Sequence, residues 1–81
     1  MKVRVRFFAM CKEIAKDDEI VLELSPNAGL SEFWAATIAR FPDLKRYKEV
    51  SRVAINQIYA KSDDVLKEND EVCIIPPVSG G

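Results

Sequence analysis

One stretch of this chain repeats at a different period from everything around it, and that difference sets the fold. Leu30, Phe33, Trp34, Thr37, Ile38 and Phe41 recur at spacings of three and four. Such spacing predicts one amphipathic helix from about Leu30 to Phe41, with an apolar face that has to be buried. Asn27 or Gly29 is the candidate cap, Glu32 stands in the first turn, and Arg40 followed by Pro42 marks the end. The aromatic stripe fits core packing against a sheet better than a ligand box, since a buried helix face requires these same spacings.

On both sides of that helix the period is two. In Lys2 to Phe8, Val3, Val5 and Phe7 share one face while Arg4 and Arg6 share the other, so the segment reads as a half-buried strand. Phe8 breaks the alternation and falls on the arginine face, where a large ring is wasted unless a partner covers it. After a turn carrying Lys16, Asp17 and Asp18, Ile20, Leu22 and Leu24 alternate again. The two strands are expected to form a hairpin with a loop of several residues. Ser25 to Gly29 is a loop by composition, and Asp43 to Glu49 reads as a solvated connection with Leu44 and Tyr47 as isolated apolar anchors. Val53 and Ile55 mark a third strand, Asn56-Gln57 a tight turn, and Ile58-Tyr59-Ala60 a short fourth. Ser62-Asp63-Asp64 caps a short turn through Leu66, and Glu68-Asn69-Asp70 turns into a last strand, Glu71 to Ile75. There Val72 and Ile74 point one way, Cys73 and Ile75 the other.

Two strands, one helix, then two or three strands predict an α+β fold: a mixed sheet of four to five strands packed against one main helix, the β-grasp plan. In that plan the first and last strands lie parallel in the middle of the sheet. Arg4, Arg6, Phe8, Cys73 and Ile75 are then grouped on the face away from the helix.

The chain has 81 residues, enough for one domain with a single modest core. No apolar run reaches bilayer length and the N-terminus lacks the order of a signal peptide, so the expectation is a cytoplasmic chain without a membrane partner. Twelve basic and thirteen acidic side chains nearly cancel, so net charge does not select a partner. Histidine is absent, which removes His-based triads, imidazole zinc sites and the usual neutral-pH proton shuttle. Cys11 and Cys73 form no Cys-x-x-Cys pair, so both read as small packing residues and no metal site is expected.

The chain ends Pro76-Pro77-Val78-Ser79-Gly80-Gly81. The prolines fix φ and lack N–H donors, so the last strand stops there and the chain leaves the sheet extended. Gly80 and Gly81 have no Cβ and suit a channel too narrow for other residues; composition by itself also fits a frayed end. This tail follows directly on Glu71-Val72-Cys73-Ile74-Ile75, in a chain opening Val3-Arg4-Val5-Arg6-Phe7-Phe8-Ala9 and carrying Ile55-Asn56-Gln57 and Asn69-Asp70-Glu71-Val72. Together these resemble the small sulfur-carrier subunit of molybdopterin synthase, a ubiquitin-like family, over nearly the whole chain.

The resemblance implies a β-grasp domain at 1–75 and an extended functional tail at 76–81. It implies that an adenylating enzyme of the ubiquitin-activating type uses ATP to join Gly81 to AMP, and that a sulfur donor protein then converts the adduct to a thiocarboxylate. The tail, Pro76 through Gly80 leading to Gly81, would deliver this sulfur to a cyclic pyranopterin phosphate inside a large subunit, in a heterotetramer of two small and two large chains. No cofactor is bound by the small chain itself, which supplies no acid–base constellation. Phe8, Tyr59 and Ile75 match positions that contact partner proteins, although Tyr59 and Ile75 differ from the residue types common there. Three alternatives stand beside this reading. They are a thiamine-pathway sulfur carrier, a ubiquitin-like protein modifier, and a plain binding module using Arg4, Arg6 and Arg52 on nucleic acid. The near-zero net charge disfavours the last, and no nucleic-acid partner is expected.

Overall fold

The computed structural model describes residues 1–77. Lys2–Phe7 forms β1, Ala9–Ala15 α1, Glu19–Glu23 β2, Leu30–Arg40 α2, Pro42–Tyr47 a 3-10 helix, Arg52–Ile55 β3, Ile58–Tyr59 β4 and Glu71–Ile75 β5. The strands make one sheet in the order β2-β1-β5-β3-β4. β1 and β5 run parallel at its centre, with Val5 opposite Val72 and Phe7 opposite Ile74, and the other neighbours pair antiparallel. This is the mixed sheet that the alternating segments predicted.

Period-two burial places Val3, Val5, Phe7, Ile20, Leu22, Val53, Val72 and Ile74 in one cluster with Phe33 and Trp34 of α2. Each large apolar side chain removed from water in this way contributes roughly 1.5–3 kcal/mol. Phe7 meets Phe41 edge-on at a centroid distance of 5.6 Å, the arrangement that ring quadrupoles favour. Thr37 is buried on the same helix face, and its hydroxyl donates to the Phe33 carbonyl at 2.8 Å, so no polar group is left unpaired there.

At its start α2 takes one of the two expected caps. Gly29 is its N-cap and lends no side-chain bond. Asn27 is a turn residue at φ 60° instead. The Glu32 carboxylate accepts the Ser25 N–H at 2.8 Å and so ties the preceding loop to the first helical turn. That bond holds the Glu32 carboxyl below its usual range. At the other end the Phe41 N–H donates to the Thr37 carbonyl and closes the helix one residue before the predicted boundary.

Two connections read as loops or solvated chain are more ordered than that, and the short turn through Leu66 is tied to the core. β1 and β2 pair as a hairpin, but the segment between them contains α1, with Cys11 fully buried against the core. The Asp43–Glu49 region is largely a 3-10 helix whose Leu44 is completely buried. Leu66 is equally buried, and its N–H donates to the Ala28 carbonyl at 2.8 Å, beside a bridge between Gly29 and Val65. In each case a single fully buried residue, Cys11, Leu44 or Leu66, anchors a segment too short to show a period.

Candidate functional site

One helix covers one face of the sheet, and the opposite face carries the outward residues of five strands. Strand register arranges them in rows. Arg6, Cys73, Ala54 and Tyr59 stand side by side across β1, β5, β3 and β4, and Ile75 and Arg52 are partners in the next row. Phe8 follows β1 immediately, extended at φ −129°, and is the N-cap of α1. Its carbonyl accepts the Cys11 N–H at 3.1 Å, so the ring is carried at a fixed strand-to-helix junction. Phe8 is 39% exposed and Tyr59 52% exposed, while Ile75 is half-buried. The three residues singled out in the sequence thus share one face, at the end where β5 passes into Pro76 and Pro77. Pro76 is buried and Pro77 exposed. Val78, Ser79, Gly80 and Gly81 lie outside the described residues.

Ala54 and Cys73 form the floor of this face, and their flanking neighbours cover them. Cys73 is only 6% exposed although it points away from the main core. Burial pushes its thiol pKa up, and the nearby Glu71 carboxylate adds to the shift. A protonated, covered thiol is a poor nucleophile. Sulfur chemistry on a cysteine of this face is therefore not what the geometry offers.

The arginines divide. Arg6 and Arg4 both approach one oxygen of Glu71, at 3.5 and 3.9 Å, and Arg6 also lies over the Phe8 ring at 5.5 Å. Arg52 lies over the Tyr59 ring at 3.6 Å from its centroid. The sequence grouped these three as one basic strip. Pairing with Glu71 separates two of them from the third, a distinction visible only once Arg4 and Glu71 are known to be strand partners. What the face presents is an apolar patch of Phe8, Tyr59 and Ile75 with charge held beside it, the make-up of a protein interface. Among the described residues no group of acidic and sulfur ligands is placed to hold a metal, and no helix is long and apolar enough to cross a membrane.

Fold and face together define a ubiquitin-like β-grasp domain with an uncovered apolar patch where its last strand ends. Residues 5–81 match the model of the ThiS family, and the chain belongs to that family. It is 39% identical to the molybdopterin synthase sulfur carrier subunit of Chlamydomonas reinhardtii, with both chains covered in full. A putative molybdopterin converting factor subunit 1 from Pyrococcus furiosus superposes with a TM-score of 0.85 at 30% identity, covering 96% of this chain and 99% of that one. A chain of the protein–protein complex of subunits 1 and 2 of the molybdopterin-converting factor from Helicobacter pylori gives a TM-score of 0.71 at 28% identity, with both chains fully covered.

Proposed function

We propose that this chain carries sulfur for molybdopterin synthesis, as the small partner of a larger, catalytic synthase subunit. The observation that carries the reading is the gathering of Phe8, Tyr59 and Ile75 around the root of the Pro76-Pro77 segment, in a chain similar over its full length to a sulfur carrier subunit. The Helicobacter pylori complex of subunits 1 and 2 supports a second subunit as the partner, and the apolar face is where we place it. Domain 1–75 then docks, and 76–81 is the working tail.

A carboxylate at Gly81 is a poor electrophile, so its carbon has to be activated. In an adenylating enzyme of the ubiquitin-activating type the carboxylate oxygen attacks the α-phosphorus of ATP and pyrophosphate leaves, giving an acyl-adenylate. A sulfur donor displaces AMP, and the resulting thiocarboxylate is a stronger nucleophile than the original carboxylate. Val78 and Ser79 lead the Gly80-Gly81 end into the large subunit, where sulfur passes to a cyclic pyranopterin phosphate in forming the dithiolene. The assembly is two small and two large chains in the cytoplasm, and the acid–base groups are the partners'.

The test is intact-mass analysis of the chain incubated with ATP, activating enzyme and sulfur donor. The expected product has one oxygen replaced by sulfur, mapped to the C-terminal peptide. An unmodified mass, under conditions in which a related carrier is loaded in parallel, refutes the reading.

A further inference from the structure

We propose that Arg52 is a specificity-determining residue of the docking face, its guanidinium receiving a carboxylate from the large subunit as the apolar patch is covered. This rests on the reading under Proposed function and adds the chemistry of one contact. Register places Arg52 directly opposite Ile75, while Tyr59 is the partner of Ala54 two residues along β3. Arg52 therefore stands between two of the three apolar residues of the patch, and it is exposed.

Its surroundings differ from those of the other arginines on the face. Arg4 and Arg6 are served by Glu71. Among the described residues, the Arg52 guanidinium makes no ion pair and no hydrogen bond; what holds it is the Tyr59 ring, 3.6 Å from ring centroid to guanidinium carbon. Stacking occupies the flat face of a guanidinium and leaves its N–H edges available, and a planar fork already held in place loses less freedom when it binds. The edges match a carboxylate, which takes two parallel N–H bonds from such a fork.

Covering the patch removes this cation from water. An apolar surface without a counter-charge would bury an unpaired guanidinium beside Tyr59 and Ile75, which costs more than the apolar contact returns. A partner that covers Tyr59 and Ile75 must therefore offer an acidic group at this point, and one with a basic group there is rejected. Arg52 thus adds selection to a patch whose apolar members discriminate little among partners.

The experiment measures binding of the full chain to the large subunit as a function of salt. Arg52→Ala is expected to weaken binding by about thirtyfold at low salt and Arg52→Glu by about a thousandfold, the range for a desolvated interfacial charge. Both effects shrink as salt rises, because screening weakens the charge term. Phe8→Ala serves as the apolar control, with a loss that salt leaves in place. The R52K variant supplies an amine that carbodiimide can couple to a touching carboxylate, and peptide mapping is expected to join position 52 to an Asp or Glu of the large subunit. R52E binding as well as the unmodified chain at low salt overturns the inference, as does coupling of position 52 only to this chain's own Gly81. In either case an unmodified chain that binds, and is weakened by Phe8→Ala, leaves the docking reading intact. Failure of the unmodified chain to bind at all overturns both.

Discussion

Cys11 and Cys73 are chemically alike and differ in what hides them. Cys11 lies in the main core, whereas Cys73 is on the outward side of β5, among Arg6, Ala54 and the residues beside them. Burial raises both thiol pKa values above the ordinary 9.0. At neutral pH both stay protonated, so alkylation of the folded chain should be slow and should become complete in denaturant. The linkage has a definite sign. A raised folded pKa contributes stability that is fully present below the unfolded pKa, here 9.0, and is lost as pH climbs toward the folded value. Alkali should therefore destabilise the native chain, and Cys11→Ala should remove part of that dependence in thermal melts. Serine is the poorer probe at position 11, because a hydroxyl without a partner costs about 1–3 kcal/mol in a core. The double variant Cys11→Ala, Cys73→Ala should still acquire sulfur at its C-terminus. Loss of loading in a folded double variant would put a side-chain thiol in the transfer path.

At the scale of elements, the turn between β3 and β4 explains why two sequence stretches far apart matter together. Asn56 and Gln57 both have positive φ, at 51° and 71°, as a two-residue hairpin turn matched to sheet twist requires. The Asn56 side chain donates to Asp70 at 2.9 Å and accepts the Glu71 N–H at 3.0 Å, while its own N–H reaches the Glu71 carbonyl at 2.8 Å. Ile55-Asn56-Gln57 and Asn69-Asp70-Glu71-Val72 are thus two halves of one clasp that sets the start of β5. Asn56→Ala loses both side-chain bonds and leaves at positive φ a residue without the polar side chain that makes Asn tolerable there. It should lower stability by about 2–3 kcal/mol in chemical denaturation, and an effect below the error of that measurement would mean that the clasp does not hold β5. The turn itself was legible, because Asn is tolerant of positive φ; its fastening to Asp70 was not, because a long-range side-chain bond leaves no local pattern. The same limit applies to α1, whose seven residues hold one buried side chain, and to Leu44, where a single apolar residue among charges gives no period. The long apolar stripe of α2 and the alternation of β1, β2 and β5 were legible because periods extend over several turns or residue pairs. On the outward face, the positions of Phe8 and Ile75 followed from alternation and that of Tyr59 from the resemblance, whereas the pairing of Arg4 and Arg6 with Glu71, and of Arg52 with Tyr59, depends on which strands are neighbours.

For the whole molecule, the parts that hold the fold and the parts assigned to chemistry occupy different lengths of chain. The main buried cluster runs from Val3 to Ile74, the sheet ends at Ile75, and buried Pro76 is the last residue sheltered by the domain among those described. A net charge of −1 gives little long-range steering, so recognition rests on local shape and on the charges beside the patch. Removing residues after Pro77 should therefore leave the unfolding free energy within the scatter of a surface change, about 0.5 kcal/mol, and should retain most of the affinity for the large subunit through Phe8, Tyr59 and Ile75. Sulfur transfer should be abolished. Deletion of Gly81 alone is the sharper case, because it withdraws the reacting carboxyl by about 3.3 Å of extended chain, and a misplacement of even an ångström at a reacting centre can cost on the order of a hundredfold in rate. The measurement is dithiolene formation in a reconstituted system of ATP, activating enzyme, sulfur donor and large subunit, with the intact and shortened chains compared at equal occupancy of the large subunit. Comparable rates from the chain lacking Gly81 would remove the terminal carboxyl from the reaction and leave the β-grasp domain as a docking module alone.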